Sequence, residues 1–224
     1  MLFDLNQIRQ QYKDVTIAII SNGPSVLQIN EDFDKDLSIT HKASVGNYSH
    51  LKIPIWTLNG GWYYHKNSVL RFHMDDPRAS HVINSNNYSW RQKLFSDVCA
   101  PLILPNALEE YQGSVSYPLT EILSFFNINK ERRGYFCETM NYVTALAIMW
   151  GVKEIQYYGC DYTDHESRPE ERASNEYWLG QANGRGVITK LYSGSTLMKV
   201  RPDMPEHVQP GFYGYLKEHF HEHG

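Results

Sequence analysis

Short apolar runs that stop at glycine beside asparagine or aspartate constrain the fold of this chain more than any other feature. The first run, DVTIAII, covers Asp14–Ile20 and stops at SNGPS (residues 21–25), after which apolar residues recur at helical spacing. An apolar, β-branched segment of this kind is typical of a strand buried on both faces of a parallel sheet. The stretch therefore predicts a buried strand, a tight turn and a short helix.

The rest of the chain alternates strands and helices. Further strands are predicted at residues 53–59, 68–74, 100–105, 154–158 and 185–192. Residues 137–151 predict the clearest helix, because apolar residues recur at i, i+3 and i+4 and Gly151 follows where a C-terminal glycine is favoured. This alternation indicates an α/β fold, here a single three-layer α/β/α sandwich with a mostly parallel, Rossmann-like sheet.

Length and composition favour one soluble domain over residues 1–224. The chain has 224 residues, 42% of them hydrophobic and 21% charged, which suits one core and is short for two domains. A net charge of -4 argues against tight phosphate-driven binding of duplex DNA. Residues 163–175 carry many charges and little periodicity, so we expect an exposed loop or lid there.

Cysteine usage and targeting signals point to the cytoplasm. The three cysteines form no C-x-x-C pair, so neither a zinc site nor a disulfide framework is indicated. No basic segment leads into an apolar run at the N-terminus, and no apolar stretch reaches the ~18 residues of a membrane span. We expect a cytoplasmic protein with no membrane partner.

The turn after the first strand has the composition of an anion-binding device. Gly23 permits a tight turn and close backbone approach, and Pro24 suits the first turn of a helix. Asn22 or Ser25 can cap that helix, whose free N–H groups would then face an anion such as a nucleotide phosphate. The alternative is a plain strand-to-helix turn, and these residues alone do not separate the two readings.

Two further strands end in the same residue types. The second predicted strand stops at Asn59 and Gly60, and another stops at Gly159, followed by Asp161 and Tyr162. Since the carboxyl ends of parallel strands share one edge of a sheet, these residues would line a common rim, where ligands bind. Asn or Asp could bond a ribose or a base there. Ordinary turn chemistry is the competing explanation for each turn.

These stretches together resemble a known family. IISNGPSVLQI, IWTLNGG and TMNYVTALAIMWGVKEIQYYGCDYT are similar to the core of bacterial sialyltransferases that build lipooligosaccharide, and to an archaeal 6-hydroxymethylpterin pyrophosphokinase-like family. A resemblance over nearly the whole chain is to uncharacterised glycosyltransferase-like proteins, often encoded by bacteriophages. The segments that carry it are Arg71–Asp75, Tyr117–Ile122, Glu176–Val187 and Phe212–Tyr215.

The resemblance implies a nucleotide-sugar donor, UDP- or CMP-linked, and metal-independent transfer. According to the resemblance, the donor would be held by Asn22, Gly23, Pro24, Ser25, Asn59, Gly60, Thr139 and Gly159. In the sialyltransferases tyrosines steady the leaving phosphate and a histidine is the base. Here the corresponding region reads WLGQANGRG, where Gln181 cannot act as a base. Another group is then the base, the acceptor differs, or the chain binds nucleotide without this chemistry.

Four residues are the catalytic candidates: Asp75, Asp161, Glu176 and Tyr162. Asp75 follows a predicted strand in FHMDDP, where it could serve as general base. Together with Asp76 it could instead hold a divalent ion, and His73 precedes both. The alternative for all three residues is a solvated turn. Asp161 would bind a ribose or acceptor hydroxyl and Tyr162 a phosphate oxygen. Glu176 is a second candidate base, and an exposed helix face is its alternative.

Other polar and aromatic residues have weaker signals. At the start of the long helix, Thr139 could cap the helix or bind a phosphate, and plain capping is favoured for Glu138. Arginines that could clamp a phosphate are Arg168, Arg172 and Arg185, with solvated roles as the alternative. Aromatic residues that could stack on a base or sugar are Trp62, Tyr63 and Tyr64, with packing at the core edge as the alternative.

The sequence favours a nucleotide-sugar-dependent glycosyltransferase. The phage-type resemblance implies a modified pyrimidine in DNA, or its free nucleotide, as acceptor, and hence a role in DNA modification. Two alternatives stay open. An ATP-dependent phosphotransferase or pyrophosphokinase would need Asp75 and Asp76 as a metal pair. A non-catalytic nucleotide-binding module would need no base, which agrees with the absence of histidine near Gln181.

Overall fold

The structure, a computed structural model, describes residues 3–22, 53–64, 68–84, 88–129, 135–162, 169–191 and 195–199. Its strands are β1 (Thr16–Ile20), β2 (Ile55–Leu58), β3 (Leu70–Phe72), β4 (Leu102–Leu104), β5 (Ser114–Ser116), β6 (Glu154–Tyr158) and β7 (Ile188–Leu191). Its helices are α1 (Leu5–Arg9), α2 (Gly61–Tyr64), α3 (Ser80–Ile83), α4 (Tyr88–Ser96), α5 (Leu119–Phe125), α6 (Thr139–Met149) and α7 (Pro169–Gly184). The short helix predicted after Ser25 lies outside the described residues.

The described strands form one parallel sheet in the order β5-β4-β3-β2-β1-β6-β7. The predicted α/β fold with a Rossmann-like sheet is thereby confirmed. From β1 the chain builds the sheet outward to β5, and it then crosses back to add β6 and β7 on the other side of β1. This creates a topological switch point between β1 and β6, the place where open α/β sheets bind ligands.

Helices cover both faces of this sheet. Leu70 and Phe72 of β3 pack with α6 and α7 in the larger core cluster, whereas Arg71, which points to the opposite face, reaches the backbone of α4. A smaller cluster on that second face contains Trp62, Leu94, Phe95, Leu102, Leu104 and Leu108. The three layers predicted from the alternation of strands and helices are therefore present.

Helix α6 is the most deeply buried helix among those described. Nearly all of its residues are buried, as in a helix enclosed by protein, and Met140, Val143 and Leu146 are nearly inaccessible. Gly151 adopts the left-handed conformation (φ 76°) that ends such a helix, as predicted. None of the described helices is long and apolar enough to cross a membrane.

The structure corrects the predicted loop at residues 163–175. Residues 163–168 lie outside the described part, but α7 already begins at Pro169, where Pro in the first turn, followed by Glu170 and Glu171, favours a helix start. The buried face of this first half is formed by Ser174 and Asn175, which are polar and therefore give no apolar periodicity. Strand β5 was not predicted, because SVS is short, polar and at the sheet edge.

Candidate active site at the carboxyl ends of the strands

The ends of β1 and β2 bring two of the predicted site residues together. A Cβ built on Gly60 would lie 3.4 Å from the Cβ of Asn22, so the two turns are in contact. The Ser21 hydroxyl donates to Asn22 Oδ1 at 3.2 Å. At Gly61 a Cβ would lie only 2.2 Å from the carbonyl oxygen of Ile20, so this close approach requires glycine.

Asn59 joins three elements at the rim. It has a left-handed backbone (φ 45°), which asparagine tolerates better than most residues. Its Oδ1 lies 2.9 Å from Nδ1 of His73, which follows β3, and its Nδ2 donates to Oγ1 of Thr139, the first residue of α6, at 3.2 Å. We call Asn59, His73 and Thr139 the amide cluster. The predicted site residues Asn59 and Thr139 are thus brought into contact.

His73 is held neutral by its surroundings. Burial lowers its pKa to about 4, nearby Arg91 lowers it further, and Asp75 opposes both. The Nε2 atom lies 3.9 Å from Oδ2 of Asp75, whose side chain is 45% exposed. At neutral pH the imidazole therefore acts as a polar, uncharged member of the rim, and Asp75 is the carboxylate beside it.

Asp75 and Asp76 have different partners. Arg78 binds both oxygens of Asp76, at 3.0 and 2.9 Å, and these bonds lower the pKa of Asp76 to about 2. Asp75 instead faces His73. In the described ranges, no group of three or more His, Cys, Asp or Glu side chains is close enough to hold a metal ion.

A second polar group surrounds the N-terminus of α6. Glu138 is the N-cap of this helix and forms a capping box with Asn141. Its Oε1 also accepts hydrogen bonds from the Tyr162 hydroxyl and from Nδ2 of Asn175, and Asn141 Nδ2 donates to Asn175 Oδ1. We call Glu138, Asn141, Tyr162 and Asn175 the carboxylate cluster. Glu138 is thus the cap that plain capping predicted, and Thr139 is not.

The turn after β6 is fixed by the segment 195–199. Gly159 has φ 68°, a conformation that favours glycine. The backbone oxygen of Asp161 accepts from Thr196 N at 2.7 Å, and that of Tyr162 accepts from Thr196 Oγ1 at 2.7 Å. Asp161 is buried (3% exposed), and Tyr162 already directs its hydroxyl proton to Glu138. Both predicted residues stand at the rim, but neither offers an open polar group in this conformation.

Glu176 lies on α7 and has its own partners. Its carboxylate accepts from Arg172 Nε at 3.0 Å and from the backbone N–H of Met198 at 2.9 Å. A further N–H of Arg172 donates to the carbonyl of Lys199 at 2.7 Å. The structure therefore does not bring Glu176 into the amide cluster, and the Arg172 guanidinium binds protein atoms where a phosphate clamp was considered. Gln181 lies half-buried further along α7.

Arg185 lies at the wrong edge of the sheet for a phosphate clamp. Helix α7 runs back from the rim, and Arg185 stands just before β7, whose first residue Ile188 is in register with Glu154 at the start of β6. Its guanidinium lies over the rings of Phe125 and Phe126, 5.3 and 4.8 Å from their centroids. That interpretation of Arg185 is wrong, because the residue precedes β7 and its guanidinium packs on aromatic rings at the opposite edge of the sheet.

The predicted aromatic platform is resolved in part. Trp62 is buried in the smaller core cluster and donates Nε1–H to Oδ2 of Asp97 at 3.2 Å, so packing at the core edge is confirmed for it. The Tyr63 and Tyr64 side chains lie outside the described residues, as do Gly23, Pro24, Ser25 and Arg168. Those predictions stay predictions.

The sequence reasoning missed several polar residues near the rim. Asn141 stands three residues after Glu138, which is the spacing of a capping box and could have identified it. Asn175 gave no such signal, because it was assigned to the loop. Arg91 is near His73 only because α4 packs beside β3. Such a long-range contact leaves no signal in the local sequence.

Comparisons with known proteins give distant structural neighbours. No protein-family model and no curated protein matches the chain. The sialyltransferase CstII from Campylobacter jejuni in complex with cytidine-5'-monophosphate has a TM-score of 0.45 and 14% identity, with 80% of this chain and 80% of that chain covered. CstII with CMP-3FNeuAc gives 0.45 and 18% (79% and 78% covered). The apo α-2,3-sialyltransferase from the same organism gives 0.42 and 15% (80% and 76% covered).

Proposed function

We propose that this protein is a nucleotide-sugar-dependent glycosyltransferase whose donor lies across the carboxyl ends of β1, β2 and β6. The observation that carries the proposal is the gathering of polar side chains at the switch point. Asn22 from the end of β1 lies against Gly60 of the turn after β2, and Asn59 of that turn contacts Thr139 at the start of α6. Convergent polar groups at such a crevice are typical of a nucleotide site.

In this proposal the donor is UDP- or CMP-linked and is held mainly by neutral groups. Asn22, Asn59 and Thr139 would bond the ribose and base, and the turn Gly23–Ser25 would face the phosphate. Gly60 and Gly159 would leave room for the ligand. The carboxylate of Glu138 already fills the N-terminus of α6, so that helix end is not offered to a phosphate. This favours the first turn as the phosphate site.

Asp75 is the proposed general base. Its side chain is 45% exposed at the rim, beside the His73 ring. In the proposed step Asp75 takes the proton of an acceptor hydroxyl, and the hydroxyl oxygen forms a bond to the anomeric carbon of the donor. The bond from that carbon to the phosphate oxygen breaks, and the nucleotide leaves with the electron pair. Asp161 would contact an acceptor or ribose hydroxyl only after its buried side chain becomes accessible.

Tyr162 would assist the leaving phosphate only after a change of partner. Its hydroxyl donates to Glu138, so the same proton cannot be given to a phosphate oxygen at the same time. Donor binding would have to draw the hydroxyl from the carboxylate.

For the acceptor we propose a modified pyrimidine in phage DNA or its nucleotide. The support is the resemblance of the sequence to phage-encoded proteins. The net charge of -4 favours a free nucleotide or a brief contact with DNA over tight duplex binding. Incubation of the protein and a donor with hydroxymethylated pyrimidine nucleotides and with the matching DNA, followed by mass spectrometry, separates the two.

The test of the main proposal is a donor screen with matched variants. UDP-, CMP- and GDP-sugars, with and without magnesium, are assayed for thermal shift and for release of the nucleotide. We expect one donor class to stabilise the protein and to turn over, and Asp75→Asn to lower kcat at least about 100-fold while donor binding persists. Asp76→Asn, whose carboxylate is bound to Arg78, is the control and should keep its rate. Absence of transfer or hydrolysis with every donor would refute the proposal.

A non-catalytic nucleotide-binding module is the second candidate. The observation that favours it is that Tyr162 and Glu176, which were predicted to be catalytic, are engaged by protein partners. It predicts a thermal shift with a nucleotide, no turnover, and no effect of Asp75→Asn.

A further inference from the structure

We propose that His73 is a positioning residue that fixes the orientation of the Asn59 carboxamide, so that one amide N–H of Asn59 is presented to the ligand. The inference rests on the proposed function, because it takes Asn59 as a donor contact. It adds a statement on ligand chemistry: the atom that Asn59 recognises is a hydrogen-bond acceptor, such as a base carbonyl or a ribose oxygen.

His73 itself is too enclosed to touch a ligand. Its exposed fraction is 0%, and its ring packs against Phe95 with 5.1 Å between the centroids. Its backbone N–H continues the sheet by donating to Ile103 O at 3.0 Å. Any contribution of this side chain to binding must therefore pass through its neighbours at the rim, and among these Asn59 lies at hydrogen-bond distance, 2.9 Å from Nδ1.

The two ends of a carboxamide have nearly the same shape, so a neighbour must decide which end faces which way. Thr139 does not decide it. Its hydroxyl lies 3.2 Å from Nδ2 and 3.4 Å from Oδ1 of Asn59, and a hydroxyl both donates and accepts. The His73 ring is the neighbour that can decide it: Nδ1 lies 2.9 Å from Oδ1 of Asn59, and in the Nδ1–H tautomer this nitrogen pairs only with the amide oxygen.

With Oδ1 turned to His73, the amide nitrogen has two N–H groups to direct. One points to Thr139. Among the contacts of Asn59 with described residues, no partner takes the second N–H, which leaves it for a ligand acceptor. A hydrogen-bond donor of the ligand would face the N–H of Asn59 instead of a lone pair, and such a ligand would bind poorly.

The charged groups that face His73 are Asp75 and Arg91, and burial outweighs both by keeping the imidazole neutral. A neutral imidazole carries one N–H, on Nδ1 or on Nε2. The inferred state has the proton on Nδ1. The opposite state would turn Nε2–H toward Asp75, 3.9 Å away, and would require Asn59 to flip its amide.

The first test reads the tautomer directly and needs no ligand. Two-bond 15N–1H NMR spectra of the full chain at pH 7 distinguish the two neutral tautomers of a histidine, and loss of the signal in His73→Asn assigns it. We expect His73 as the neutral Nδ1–H form. The Nε2–H form would overturn the inference even if the protein were shown to be a glycosyltransferase.

The second test separates positioning from packing. His73→Phe keeps a planar ring and removes the donor, whereas His73→Asn keeps an amide N–H near the position of Nδ1. With UDP and CMP as calorimetric probes, we expect His73→Phe to weaken the Kd of the bound nucleotide about 10-fold and His73→Asn to recover most of that loss. Circular dichroism confirms that both variants fold.

The outcomes distinguish this inference from the proposed function. If the wild type binds a nucleotide and His73→Phe binds it equally well, or if both variants lose affinity equally, the positioning role is wrong and the proposed function survives. If the wild type binds neither probe and turns over no donor, the proposed function fails and the ligand contact of Asn59 fails with it, and the tautomer then decides only the orientation of the carboxamide.

Discussion

Arg71 and His73 lie two residues apart on one face of the sheet, and both are fully buried, yet they serve different ends. Both pack against α4: Arg71 Nη1 donates to the carbonyl of Leu94 at 3.2 Å, and the His73 ring contacts Phe95. Arg71 Nη2 also donates to the carbonyls of Asp97 and Ala100. His73 contacts a side-chain amide at the rim instead.

Position along the strand explains the difference. Arg71 lies inside β3, beside the backbone that links α4 to β4, and its partners are carbonyls that would otherwise be buried without a donor. His73 is the first residue past the end of β3, where the strands stop and ligands bind. Burial lowers the pKa of both, but only the imidazole becomes neutral at pH 7. The group that a buried basic side chain contacts therefore indicates its role: Arg71 contacts backbone carbonyls and stabilises the fold, whereas His73 contacts a side chain at the candidate site.

Removal of the Arg71 guanidinium has the largest expected effect. Arg71→Met leaves three buried carbonyls without their donor and leaves Asp97 without its cation, so we expect the free energy of unfolding to fall by about 3–4 kcal/mol. Urea denaturation measures it. Arg78→Met is the control, because its exposed pair with Asp76 should leave the urea midpoint unchanged. Equal midpoints for the two variants would show that Arg71 is not structural.

The pH dependence of stability should separate the two residues next. The folded-state pKa of His73, about 4, lies below its ordinary 6.5. Between these values the unfolded chain binds a proton that the folded chain does not, so the contribution is complete above pH 6.5 and is lost toward pH 4. The loss is about 3 kcal/mol.

Urea titrations of the wild type and His73→Asn at pH 7, 6, 5 and 4 measure this loss. We expect the wild type to lose about 3 kcal/mol more than His73→Asn over this range. The stability difference between wild type and Arg71→Met should stay constant, because a guanidinium remains charged throughout. Parallel profiles for the wild type and His73→Asn would mean that folding does not lower the pKa of His73.

Most of the sheet could be predicted because buried parallel strands appear in the sequence as short apolar runs. The segments TIAII and LRF lie in apolar runs that end in recognisable turns, so β1 and β3 could be predicted. The edge segment SVS is polar and short, so β5 could not. The strand order could not be predicted, since it depends on contacts far apart in sequence. The first half of α7 was missed because it buries Ser174 and Asn175 against other polar groups, which hydropathy periodicity cannot register.

The proximity of the turn residues could be predicted from the sequence, and the contacts of the other candidates less well. The turn residues Asn22, Gly60 and Asn59 were expected at one rim, and they meet there, because turn chemistry is local. The partners of Tyr162 and Glu176 were not foreseen. Those bonds depend on where α6 and α7 place Glu138 and Arg172. The sequence around a tyrosine or glutamate does not indicate its hydrogen-bond partner.

A smaller effect is expected where the backbone itself forms the rim. Gly61→Ala would set a Cβ 2.2 Å from Ile20 O, and the main chain must shift, so we expect a loss of about 2 kcal/mol of unfolding free energy. Thermal unfolding measures it. Gly180→Ala in α7, where a Cβ meets nothing within 4 Å, is the control and should stabilise the protein slightly. If Gly61→Ala melted with the wild type, the β1–β2 contact would be looser than described.

The smallest stability effect is expected in the carboxylate cluster, where structure and binding should respond with opposite signs. Glu138→Gln keeps an acceptor for Tyr162 and Asn175 but removes the charge at the N-terminus of α6, which costs about 1 kcal/mol. The Tyr162 hydroxyl is then held less firmly and a negative charge near the donor is gone, so nucleotide affinity should rise severalfold.

Calorimetry with UDP and CMP, beside urea unfolding, checks both signs for Glu138→Gln. Glu121→Gln, an exposed acid in the first turn of α5, is the matched control and should leave affinity unchanged. A drop in affinity together with stability would mean that the bond from Tyr162 to Glu138 belongs to the binding-competent state. The carboxylate cluster would then support the site as the amide cluster does, and the phosphate would have to be steadied by another group.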